Sequence, residues 1–178
     1  MAGPGRTAIP LPRVRWLTTG EGFLDLTLGP AGNGESMLEG FGTATGAAVR
    51  RVFIADDHDG YRSGVARLVG GHPGLEIVGE AADGEQALAG IVACQPDVAL
   101  LDVRMPGMTG LEVCRRLRSE HSAPGSRVVL ITGTPDAGLS TQAADAGAVA
   151  LIGKETPPGT IAAQLLAAAD GRVGWSVE

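Results

Sequence analysis

The sequence predicts an α/β protein, a three-layer, doubly wound sheet of five parallel strands, and three observations lead there. From Val49 onward, short apolar runs alternate with helical stretches across short loops, the pattern of repeated βα units. Four of those runs stop on a polar residue: Val52 to Ala55 on Asp56 and Asp57, Val98 to Leu101 on Asp102, Val128 to Ile131 on Thr132, and Val149 to Gly153 on Lys154. The composition is 44% hydrophobic but only 3% aromatic, which calls for an aliphatic core of the kind such a sandwich holds. Parallel strands bring their carboxyl ends to one edge, and ligands bind in the crevice outside it. The polar stops should therefore form one site.

Each element follows from a local signal. Strand one is read over about 50–55 and helix one from Gly60 to Val69. Strand two, Leu75 to Val78, precedes Asp83, which can cap a helix to about Cys94, with Gln86 reaching back as a capping box. After strand three, Met105-Pro106-Gly107-Met108 is a turn, and Thr109 with Glu112 forms a second capping box, structural in role, for a helix to about Ser119. Strand four, Arg127 to Ile131, leads to Thr134-Pro135, read as a cap followed by proline in the first helical position. Strand five leads to a last helix, about Thr160 to Ala169, whose Ile161, Leu165 and Leu166 share a face.

At 178 residues the chain suits one domain, placed at 48–172, with 173–178 as a short tail. Residues 1–47 are rich in glycine and proline and lack a sustained period, so they are expected to be a disordered extension. Within them, Gly22 to Leu28 alternates like a strand and is a candidate docking segment, and Met37 is a candidate alternative start. The net charge of −6 disfavours unassisted binding to nucleic acid or an anionic membrane. No apolar run approaches the ~18 residues needed to span a bilayer. Cys94 and Cys114 lack CxxC spacing and a secretory signal, which suits buried thiols in a reducing cytoplasm. His58, His72 and His121 have no metal-ligand spacing and read as surface residues, and Arg115, Arg116 and Arg118 as a solvated helix face.

Three gathered carboxylates need compensation, because like charges ~4 Å apart repel by about 1 kcal/mol in water and by several times that at an effective dielectric near 20. A divalent cation with oxygen ligands supplies it, and one held by a few carboxylates, waters and a phosphoryl oxygen suits Mg²⁺. Lys154 can pair with carboxylates at rest and with a phosphate oxygen in use, and the Thr132 hydroxyl can donate to the same oxygen. A carboxylate so surrounded is a phosphoryl acceptor.

The runs Ile54-Ala55-Asp56-Asp57-His58, Leu101-Asp102-Val103-Arg104-Met105-Pro106-Gly107-Met108-Thr109-Gly110-Leu111-Glu112, Ile131-Thr132 and Gly153-Lys154 resemble the receiver domain of bacterial two-component response regulators, over about residues 50–172. Asp56-Asp57-His58 and Lys154-Glu155-Thr156 are most similar to the NarL/LuxR-type group. The resemblance implies a flavodoxin-like strand order 2-1-3-4-5. It implies that a histidine kinase or phosphotransfer protein phosphorylates Asp102, that Mg²⁺ is held by Asp57, by Asp56 largely through water, by Asp102 and by the Arg104 backbone carbonyl, and that Lys154 and Thr132 contact the phosphoryl group. The chain would then be a cytoplasmic signalling acceptor rather than an enzyme, passing its state to a downstream protein through helix four, strand five and helix five, with homodimerisation left open. Arg104 and Thr134 flank the site and are expected to tune hydrolysis.

Three features depart from that family. Leu151 stands where many receivers carry an aromatic switch residue, and Glu155 follows the lysine where many have proline. No helix-turn-helix pattern follows Ala169, so DNA binding by this chain is not expected. Two other functions compete. Asp57-His58-Asp59-Gly60 resembles the nucleophile motif of haloacid-dehalogenase-like phosphatases, without their acidic pair after the lysine. A binding module that keeps the receiver fold but does not depend on phosphorylation is the other. An EF-hand is excluded, since aligning Gly60 with its invariant glycine puts Ala55 and Ala66 at ligand positions.

Overall fold

Alternate residues of each central strand pack on opposite faces of the sheet, and this period of two builds both halves of the core. The computed structural model describes residues 48–172 and 174–175. Its elements are β1 (Arg50–Ala55), α1 (Asp59–Gly70), β2 (Leu75–Ala81), α2 (Gly84–Cys94), β3 (Val98–Asp102), α3 (Gly110–Glu120), β4 (Arg127–Thr132), α4 (Ala137–Ala146), β5 (Ala150–Gly153), α5 (Pro158–Ala169) and β6 (Gly174–Trp175). All pairings are parallel, in the order β2-β1-β3-β4-β5-β6. The five main strands thus keep the order 2-1-3-4-5. Val52, Ile54, Leu100, Val129, Ile131 and Ile152 meet α1 and α5 on one face. Phe53, Leu101, Leu130 and Leu151 meet α2, α3 and α4 on the other.

Several boundaries differ from the sequence reading. Helix α4 is capped not by Thr134 but by Asp136, whose side chain accepts from Leu139 N at 2.7 Å, so Pro135 lies before the cap. An aspartate two residues on is the stronger acceptor, and the Thr134 N–H is turned back onto Thr132 Oγ1 at 3.3 Å. Asp83 caps α2, accepting from Gln86 N at 2.8 Å, but the Gln86 side chain meets the Asp83 carboxylate rather than its backbone, so the box is half formed. Strand β2 continues past Val78 to Ala81 because β1 offers partners that far. Gly79 permits it: a Cβ there would lie 2.6 Å from the Phe53 ring. Helix α5 begins at Pro158, earlier than expected, with proline where the first helical N–H needs no partner. Gly174–Trp175, in the segment read as a tail, pairs with Ala150–Leu151 as a sixth strand too short for any periodic signal. The readings for residues 1–47, including the docking segment and Met37, lie outside the described residues.

Candidate functional site

Four strands deliver the polar stops to one edge. Asp56 follows β1 and is buried at 2% exposure, Asp102 ends β3 at 4%, and Thr132 ends β4 at 2%. Lys154 follows β5 and reaches between the first two: its Nζ is 2.7 Å from Asp56 Oδ2 and 2.8 Å from Asp102 Oδ2. The backbone ties the last two strand ends together, as Lys154 N donates to the Thr132 carbonyl at 2.7 Å. Burial opposes the charge on Lys154, but hydrogen bonds and attraction to Asp102 and Asp56 outweigh it and hold the ammonium above its ordinary pKa.

The other oxygen of each buried carboxylate accepts a backbone N–H. Asp56 Oδ1 accepts from His58 N at 2.9 Å, and Asp102 Oδ1 accepts from Arg104 N at 3.2 Å. Asp57 is exposed, with Oδ1 2.8 Å from His58 Nδ1. Ligand atoms of Asp56, Asp57, His58 and Asp102 all lie within 4.8 Å of one another. Three hard carboxylates so placed fit a cation of the Mg²⁺ kind. His58 is exposed as read, yet it belongs to this group despite lacking any metal-ligand spacing in the sequence. The cleft above has a volume of about 760 Å³, with Asp57, Asp102, Arg104, Gly133 and Lys154 on its walls.

Thr132 stands apart from the carboxylates in one respect. By the pleat, Asp56, Asp102 and Lys154 continue the rows facing α1 and α5, whereas Thr132 continues the row of Leu130, beside Leu151, toward α4.

Residues 52–166 match the model of the response regulator receiver domain. The chain belongs to the response regulator receiver family. Among its relatives, the response regulator GacA of Pseudomonas viridiflava is 39% identical over 104 residues, 58% of this chain and 48% of that protein. The probable transcriptional regulatory protein NarL of Mycobacterium tuberculosis is 41% identical over 122 residues, 68% of this chain and 56% of that protein. The chain spans about half the length of the curated relatives it matches. The solved receiver domain of the M. tuberculosis NarL superposes with a TM-score of 0.68 at 39% identity, covering 70% of this chain and 99% of that one. A LuxR-family regulator from Aurantimonas superposes with a TM-score of 0.67 at 28% identity, covering 72% and 90%. The receiver is of the NarL/LuxR type, with the flavodoxin-like order that the resemblance implied.

Three residues of this receiver's site were not singled out from the sequence. Tyr61 has its ring centroid 4.8 Å from Lys154 Nζ. Arg62 donates from Nη1 to the Asp56 carbonyl at 2.5 Å and pairs with Asp59 and with Glu80 of β2, the last at 3.5 Å. Gly110 lets α3 approach: a Cβ there would lie 2.3 Å from the Asp102 carbonyl oxygen. A signal for Tyr61 existed, since it precedes the buried Val65 and Val69 by four and eight residues on one helical stripe.

Proposed function

We propose that this receiver takes a phosphoryl group on Asp102 from the phosphohistidine of a histidine kinase or phosphotransfer protein and passes the change to a downstream protein. The observation that carries the reading is Asp102 itself, a buried carboxylate held by a lysine at the floor of an acidic cleft. A carboxylate oxygen of Asp102 attacks phosphorus, the N–P bond breaks with its electron pair going to nitrogen, and the phosphohistidine ring, protonated on its other nitrogen, leaves as neutral imidazole, giving an acyl phosphate. Asp57, Asp56 largely through water, Asp102 and the Arg104 backbone carbonyl are the residues to hold Mg²⁺, which when bound offsets charge on the transferred group. Lys154 is placed to exchange its carboxylate contacts for a phosphoryl oxygen, and Thr132 to turn toward the new anion. The chain is a phospho-acceptor rather than an enzyme with a separate substrate, and its two free, buried cysteines suit a cytoplasmic setting.

The lysine bridges Asp56 and Asp102 and leaves Asp57 to His58, which favours Asp102 over Asp57 as the nucleophile. Incubation with acetyl phosphate and Mg²⁺, read on a phosphate-affinity gel, tests this. Wild type should shift, and Asp102→Asn or excess EDTA should abolish the shift. A shift that survives in Asp102→Asn but is lost in Asp57→Asn assigns the nucleophile to Asp57, as in the phosphatase reading. No shift in wild type leaves a binding module independent of phosphorylation.

A further inference from the structure

Lys154 is held from two sides, and only one of them is acidic. Besides Asp56 and Asp102, the ammonium meets the face of Tyr61, its centroid 4.8 Å away, brought to the carboxyl edge by the first turn of α1. An ammonium is drawn to an aromatic face by the ring's negative quadrupole. The phenol oxygen contributes no visible bond: it is buried and, among the described residues, has no hydrogen-bond partner. A buried hydroxyl without a partner is unfavourable, so the ring is what justifies tyrosine here.

Tyr61 is also a wall. It lines the acidic cleft and, with Val65, Leu68, Pro157 and Ile161, a second groove of about 410 Å³ between α1 and the start of α5. Lys154 borders both spaces on a flexible four-carbon stem. Without the ring, the ammonium gains room to leave the carboxylates.

We propose that Tyr61 is a positioning residue for the phosphoryl chemistry: its ring fixes the Lys154 ammonium against Asp56 and Asp102, presetting the cation that meets the incoming phosphoryl group. This rests on the reading of Asp102 as the acceptor. The role belongs to the ring face, so phenylalanine should fulfil it and an aliphatic residue should not.

The test uses the full chain as wild type, Tyr61→Phe and Tyr61→Leu, with Tyr61→Met as a second aliphatic variant should the leucine form not fold. In ¹³C-lysine-labelled protein, the Lys154 Hε protons should be displaced upfield by the ring in wild type and Tyr61→Phe, and should return to ordinary values in the aliphatic variants. Phosphorylation by acetyl phosphate with Mg²⁺ should stay within about twofold of wild type in Tyr61→Phe and fall about fivefold in the aliphatic variants, as expected for one lost cation–π contact. An aliphatic variant with wild-type rate, or Tyr61→Phe slowed as much as Tyr61→Leu, overturns the proposal. Wild type that takes no phosphoryl group overturns the acceptor reading and this role with it, while the proton shifts still report whether ring and ammonium meet.

Discussion

Lys154 concentrates the electrostatics of the site in one side chain. It is the cation shared by two buried carboxylates, so removing it leaves both without the ammonium that bridges them, each keeping only a backbone N–H. Breaking a fully buried pair in this way costs 3–5 kcal/mol, and because the lysine borders an open cleft we expect Lys154→Met to lose about 2 kcal/mol at neutral pH. The loss should depend on pH in a defined direction. The folded pKa lies above the ordinary 10.5, so the stabilisation is fully present below about 10.5 and disappears as pH rises through the folded value. Urea melts of wild type and variant should differ by a constant amount up to that pH and converge above it; a gap that persists undiminished would mean the lysine acts by packing rather than charge. The strand-end residues were legible because each closes an apolar run. The roles of His58 and Arg62 were not, because they arise where α1 meets the end of β1, and Tyr61 left only its place on a buried helical stripe.

At the scale of elements, α3 is held to the site by its own first residue. Thr109 accepts from Glu112 N at 3.2 Å while Glu112 accepts from Thr109 N at 2.8 Å, the capping box read from the sequence. Gly110 then seats the helix on the backbone of β3, with its N–H donating to the Val103 carbonyl at 3.1 Å. Gly110→Ala would force a Cβ to 2.3 Å from the Asp102 carbonyl oxygen, where only backbone can give way. We expect a loss of about 1–3 kcal/mol in chemical denaturation, together with slower phosphorylation, since the strain falls on Asp102, the proposed acceptor. An unchanged denaturation midpoint would show that α3 can slide freely. The cap was visible as Thr-x-x-Glu because both partners are local. The seating was not, and neither was Phe53 lying between Gly79 and Gly90, because these contacts join residues of three different elements.

Across the whole molecule, the pleat sets the proposed acceptor and the threonine on opposite faces of the sheet. Asp56, Asp102 and Lys154 continue the side of the sheet covered by α1 and α5, while Thr132 continues the row toward α4, on which Leu151 is fully buried. The order of the five main strands, and hence the convergence of their ends, followed from the family resemblance; the register that ties Thr132 to Gly153 is a tertiary property. A cation bound only by the folded chain must also stabilise the whole receiver, by about 1.4 kcal/mol at ten times its dissociation constant. The melting temperature should therefore rise with Mg²⁺ in wild type and not respond in Asp57→Asn; an equal response in both would remove Asp57 from the metal site. The central claim is that Asp102 forms the acyl phosphate, and borohydride trapping after incubation with acetyl phosphate and Mg²⁺ tests it most directly. Peptide mass mapping should find reduction of the aspartate to homoserine at position 102 alone. Reduction at Asp57 or Asp56, or none at any aspartate, would contradict it.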